Sequence, residues 1–152
     1  MAHKNDQRED RSLWRSVFSF LSKLISKDDG RYDRKIVREN DGFTLYLNDE
    51  PNWSIRWKEV TAVVAYKQDL YTTDLICFGL RVLKDPAGLW CIDEDMEGFK
   101  SVSGDISHLT HGAWPDKWHD IAIPAFETCW TELWIRDGSP ILDDNPKIWY
   151  AK

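Results

Sequence analysis

Long apolar runs are missing from this chain. No stretch approaches the roughly 18 residues needed to span a bilayer, and the N-terminus has neither an uninterrupted apolar region nor a small-residue cleavage site, so no membrane span or secretory leader is expected. Cysteine is scarce and odd in number. Cys77, Cys91 and Cys129 lie far apart among apolar residues, which argues against a disulfide framework and suits reduced core thiols in a reducing, cytoplasmic setting. Basic charge is also in short supply: 20 Lys/Arg against 26 Asp/Glu give a net charge of -6, which disfavours nucleic-acid binding by counterion release and leaves cationic or neutral partners. No glycine-rich segment matches a phosphate loop or dinucleotide fingerprint, and Ser101-Val102-Ser103-Gly104 is not a nucleophile elbow.

Aromatic residues are plentiful. Nine Trp, five Tyr and six Phe in 152 residues, within a 42% hydrophobic composition, predict a packed protein. The length suits one domain, residues 1–152, burying roughly 70% of its unfolded surface. Charge is unevenly divided: residues 1–40 hold 10 basic and 7 acidic groups, net +3, whereas residues 41–152 hold 10 and 19, net -9.

Residues 1–9 are polar and without apolar periodicity, and are expected to form a flexible tail. Residues 10–28 read as an amphipathic helix, capped by Asp10 or Ser12 and stopped near Gly30. Its apolar set (Leu13, Trp14, Val17, Phe18, Phe20, Leu21, Leu24, Ile25) falls in an arc of roughly 160°. Such a helix docks on its own domain or, with a basic polar face, contacts a membrane or partner through residues 10–27; its three cations and five serines make the membrane signal weak.

From Arg34 the period becomes alternating. Lys35–Glu39 and Phe43–Asn48 read as a hairpin turning at Asn40-Asp41-Gly42, with Asp-Gly supplying positive φ and Phe43, Leu45 and Leu47 facing the core. Trp53 to Trp57, Val60 to Tyr66 and Leu75 to Leu83 follow as strands; Asp85-Pro86-Ala87-Gly88 is a type I turn signature, and Leu89 to Asp93 returns antiparallel. Met96, Phe99, Val102, Ile106 and Leu109 repeat as one helical stripe. Pro124 opens a further helix near 125–136 on the stripe Phe126, Cys129, Trp130, Leu133 and Trp134, although alternation also allows a strand over 129–135. Residues 34–138 thus form an α+β body, residues 139–152 an extended tail. The expected fold is α+β: an N-terminal helix, a mainly antiparallel curved sheet of about five or six strands, and C-terminal helices; a partial barrel closed by a helix is the alternative.

The densest chemical constellation is Asp93-Glu94-Asp95-Met96-Glu97, where a strand end enters a helix. Its carboxylates suit an N-cap (Asp95) and the helix dipole, an acidic recognition patch, or less well a Ca²⁺ or Mg²⁺ site, since no twelve-residue calcium loop is present. His108 and His111 share a helical face, with His119 further on, but no Cys neighbours them to complete a zinc ligand set, so no metal or cofactor is expected. The connection Tyr66 to Asp74 is polar and aromatic, with Asp69, Tyr71 and Asp74 either part of a recognition loop or ends of its flanking strands.

Trp57-Lys58-Glu59-Val60, Ala65-Tyr66-Lys67-Gln68-Asp69-Leu70, Thr73-Asp74-Leu75-Ile76-Cys77, Glu94-Asp95-Met96-Glu97-Gly98-Phe99, Pro124-Ala125-Phe126 and Thr131-Glu132-Leu133-Trp134 together resemble small bacterial immunity proteins of toxin–immunity systems, over about residues 53–136. The resemblance implies a cytoplasmic, non-enzymatic protein that binds and neutralises a toxin domain; it carries over no catalytic or binding residue. From the residues themselves, the expected partner is a basic protein, met by Asp93, Glu94, Asp95 and Glu97, with Asp69, Tyr71 and Asp74 as a second edge. Two alternatives remain: a small enzyme with an aromatic pocket using Asp93, Glu94 or His119 as acid or base, and a membrane or assembly module acting through residues 10–27.

Overall fold

In the computed structural model, residues 33–70, 74–123, 130–142 and 146–150 are described. The expected tail and amphipathic helix, Tyr71, Phe126 and Cys129 lie outside them. The architecture is α+β, with strands β1 (Arg34–Glu39), β2 (Gly42–Leu47), β3 (Glu50–Arg56), β4 (Val60–Asp69), β5 (Asp74–Val82), β6 (Asp85–Asp93), β7 (Thr131–Ile135) and β8 (Lys147–Trp149). Helix α1 (Phe99–Leu109) is followed by the short turns α2 (Ala113–Asp116) and α3 (Trp118–Ala122). Among the described residues no helix is long and apolar enough to cross a membrane.

The expected single sheet is instead two: β1-β2-β3, and β7-β4-β5-β6-β8. Alternation explains both. In β5, Ile76, Phe78, Leu80 and Val82 point into one core with Val63, Ala65 and Ile92, while Leu75 and Cys77 point into another with Val64, Tyr66, Leu89 and Cys91. A central strand of a two-sided sheet must be apolar on both faces, which is why β5 reads as an almost continuous hydrophobic run. The first core also takes Phe43, Leu45 and Ile55 from the small sheet and Val102 and Ile106 from α1. Each of these buried aliphatic side chains contributes about 2 kcal/mol by leaving water.

Three local expectations are corrected. The first hairpin turns on Asn40 and Asp41, with Glu39 opposite Gly42, and neither Asp41 nor Gly42 has positive φ. Gly42 is required because a Cβ there would stand 2.0 Å from the Ile55 carbonyl oxygen across β2–β3. Positive φ occurs in the next hairpin, at Asn48 (50°) and Asp49 (65°), where Asn and Asp tolerate the left-handed region. Second, Asp85–Gly88 is the start of β6 rather than a turn: Val82 pairs Asp85, the chain reverses at Leu83-Lys84, and a register shift beside Arg81 accommodates Pro86. Third, residues 131–135 are strand, not helix. β7 pairs antiparallel with Ala62 to Ala65 of β4 and satisfies backbone groups that would otherwise be an open edge, so tertiary pairing overrides the helical stripe.

Helix α1 keeps the expected stripe, with Val102 and Ile106 fully buried and Met96 beside them. It starts later than Asp95. Its N-cap is Gly98, at φ 88°, where a Cβ would lie 2.1 Å from the Ile36 carbonyl oxygen; no side chain caps it, so Asp95 does not.

Candidate functional site

The acidic turn 93–97 is built by three attachments. Asp93, last in β6, is 3% exposed and receives a forked bond from Arg34 (Nη1 to Oδ2 2.5 Å, Nη2 to Oδ1 3.2 Å). Burial outweighs the guanidinium and holds the Asp93 carboxyl above its ordinary range. Glu94 lengthens the ladder by one residue: its N–H donates to the Ile76 carbonyl at 3.0 Å, and its Oε1 accepts from the Ile76 N–H at 2.8 Å. Glu97 is bridged to β1, its N–H donating to the Arg34 carbonyl and its carbonyl accepting from the Ile36 N–H at 2.7 Å. Glu94, Asp95 and Glu97 are exposed; Asp93 is not available to a partner.

The second sequence-chosen edge lies at the same end of the sheet. Asp69 and Asp74 are register partners in the backbone where β4 and β5 close, and Glu94 stands beside Ile76, two strand positions or roughly 7 Å along β5 from Asp74. Asp74 pairs with the buried Lys67 Nζ at 3.2 Å, and that ammonium also donates to the Ala122 carbonyl at the end of α3. The fold therefore joins the two acidic segments that sequence reading kept apart, and takes Asp93 out of the exposed set.

The face of the sheet behind this edge is covered by Pro140, Ile141, Leu142, Ile148 and Tyr150. Tyr66 stacks on Trp130 (4.3 Å between ring centres) and shares a 2.9 Å hydroxyl–hydroxyl hydrogen bond with Tyr150. Cys77 and Cys91 are buried free thiols on the same face, both pushed up to about 12 chiefly by burial. Burial likewise raises the Tyr66 hydroxyl. Such protonated thiols are poor nucleophiles.

Sequence reading missed an open groove of about 410 Å³ lined by Asn40, Trp57, Asp105, His108, Leu109, His111 and Trp134. Its walls come from four separated segments. The Trp57 N–H donates to the Asp41 carbonyl, holding the 3₁₀ turn Trp57–Glu59 against the β1–β2 turn, and Arg136 both donates to the Trp57 carbonyl and lies over the Trp134 ring at 5.8 Å. Both oxygens of Asp105 are taken by Arg38 (2.7 and 2.8 Å). Asp105, the carboxylate in the groove wall, is thus engaged by Arg38. The sequence signal was the spacing of Asp105, His108 and His111 around the end of α1; the two Trp residues gave none, being indistinguishable from core. His119, exposed on α3, does not line this groove. Among the described residues no group of three His, Cys, Asp or Glu side chains is placed to hold a metal ion.

No protein-family model, curated protein or solved structure matches this chain.

Proposed function

We propose that the chain is a non-enzymatic, cytoplasmic binding protein of the immunity type, which neutralises a basic toxin domain through an acidic surface. The observation that carries this reading is the stitched turn: Asp93 is spent inside on Arg34, so the backbone is fixed while Glu94, Asp95 and Glu97 are exposed, Glu94 at the strand end that also carries Asp74. Fixed exposed carboxylates within residues 41–152, net charge -9, steer a cationic partner and raise its association rate at low ionic strength. Rim charges of this kind contribute little singly, so they act together.

The test starts from capture of a partner out of the native cells at low salt, followed by rate measurements across a salt series. Reversing Asp95 and Glu97 to Lys together with Glu94→Gln, which keeps an acceptor for the Ile76 N–H, should slow association by about tenfold or more at low salt and leave the melting temperature unchanged. Association that is independent of salt, or full protection of cells from the toxin by the triple variant, defeats the proposal.

A further inference from the structure

We propose that Asp137 is a self-modification site: the Gly138 backbone nitrogen attacks its side-chain carboxyl, and the resulting succinimide reopens to leave isoaspartate in the main chain. The chain has three Asp-Gly dipeptides, at 29–30, 41–42 and 137–138, and the first lies outside the described residues. Ring closure needs a residue without a Cβ after the aspartate, an uncommitted carboxyl, an uncommitted N–H and room for the ring. Glycine supplies the first of these at every Asp-Gly. The fold sets the others, and sets them in opposite ways at the two described sites. At Asp41-Gly42, Arg56 holds the Asp41 carboxylate, and Gly42 is buried in the ladder between Glu39 and Arg56. A Cβ on Gly42 would stand 2.0 Å from the Ile55 carbonyl oxygen, so the backbone there has no room to turn toward the side chain.

At Asp137-Gly138 both residues are exposed, and among the described residues neither the Asp137 carboxylate nor the Gly138 N–H has a hydrogen-bond or ion-pair partner. They are the central pair of a turn closed by the Ser139 N–H on the Arg136 carbonyl at 2.9 Å, with Gly138 at φ 78°, the sign a type II turn takes at its third position. A Cβ at 138 would meet nothing within 4 Å, so the turn stands clear of the body. In the step itself the Gly138 nitrogen gives up its proton and bonds to Asp137 Cγ while a carboxyl oxygen leaves as water. Water then adds to one of the two ring carbonyls. Opening at the α-carbonyl leaves the main chain running through Cβ and Cγ, with composition and charge unchanged and one carbon added to the backbone. Just beyond the turn, Arg81 holds the carbonyls of Pro140 and Ile141. The added carbon lies between Arg136 and Ser139, so it breaks the turn's hydrogen-bond register and loosens the segment that Arg81 holds against the sheet.

The experiment ages the full chain in warm neutral buffer made with heavy-oxygen water, digests it in ordinary water after Lys and Arg, and sequences the peptides 39–56 and 137–147 by mass spectrometry. Each passage through the succinimide takes up one oxygen from the solvent. Heavy oxygen should enter Asp137 at least about tenfold faster than Asp41 in the folded chain, because Asp41 reacts only after local opening, and the two rates should agree within about threefold in urea-unfolded chain. Asp137→Glu, which would have to close a larger ring, should abolish uptake at 137 with the melting temperature unchanged. Uptake at Asp41 equal to that at Asp137 in the folded chain, or none at 137 where the unfolded chain reacts, overturns the assignment. Once the isoaspartyl form is separated from the unaged chain, its Ser139 amide should exchange with solvent about tenfold faster; unchanged exchange overturns the loosening.

Discussion

One face of the five-stranded sheet is closed by hydrocarbon and indole; the other adds hydroxyls, thiols and an ion pair to a smaller apolar cluster of Val64, Leu75, Leu89, Leu142 and Ile148. On the first, Val63, Phe78, Leu80 and Ile92 meet α1, the small sheet and Trp114. On the second, Tyr66, Cys77, Cys91 and Asp93 meet Tyr150, Trp130 and Arg34, while Arg81 ties Thr61 to the carbonyls of Pro140 and Ile141. The first face depends on buried area, which is indifferent to pH. The second depends in addition on polar groups that are stable only while satisfied and correctly protonated, so it should respond to further perturbations.

The sharpest test of the first face is Phe78→Ala. Phe78 is fully buried, stacked on Phe99 (5.3 Å) and edge-on to Trp114 (4.8 Å), so truncation removes a ring and leaves a cavity beneath α1. A loss of about 4 kcal/mol in urea unfolding, equal at pH 6 and pH 8, is expected. A loss below about 1.5 kcal/mol would mean that the site collapses and the face is not the main store of stability.

On the second face Arg34→Ala should cost about 3 kcal/mol at pH 7, because it strands a buried carboxylate. Here the loss should depend on pH. Asp93 is already held above its ordinary 3.8 by burial, and removing the guanidinium raises it further. The folded state then takes up a proton at a pH where the unfolded state does not, so the lost stability returns as pH falls through that raised value. The double change Arg34→Ala with Asp93→Asn should recover part of it at neutral pH. A pH-independent loss would show that Arg34 acts by packing alone.

These contrasts explain what the sequence could disclose. Alternation in Phe43, Leu45 and Leu47, and the continuous apolar run of β5, marked buried strands because these are local properties of the sequence. The stripe Met96, Val102, Ile106 marked α1 for the same reason. Partition into two sheets, the pairing of β7 with β4 and the start of β6 at Asp85 depend on long-range register, which no local window contains. The acidic turn was visible as a run of carboxylates; that Asp93 would be spent on Arg34, 59 residues away in sequence, was not. The groove was least legible, since Asn40, Trp57, Asp105 and Trp134 meet only after folding.

A smaller difference between the faces appears in alkali. Cys77 and Cys91 rise from an ordinary 9.0 to about 12 when folded, so between those values the folded state holds protons that the unfolded state has released. Stability should therefore fall as pH climbs above about 9, each thiol lowering the folding constant by up to about tenfold per pH unit. Replacing both by Ala should reduce this fall, most clearly between pH 9 and 10, whereas Phe78→Ala should leave that slope as it is. An unchanged slope in the double variant would assign alkaline lability to Tyr66 and Tyr150 instead, both also raised by burial.

The smallest effect is a gain. Gly104 lies within α1, the helix that covers the first face, and a Cβ there would meet nothing within 4 Å. Gly104→Ala therefore adds no clash, removes backbone freedom from the unfolded chain and restores helix propensity, for a stabilisation of about 0.5–1 kcal/mol. Because the change touches only the cover of the hydrocarbon face, the gain should be the same at pH 7 and at pH 10, where the thiol face is losing stability. A gain that shrinks in alkali would mean that the two faces do not melt as one cooperative unit, and that α1 reports on the first face alone.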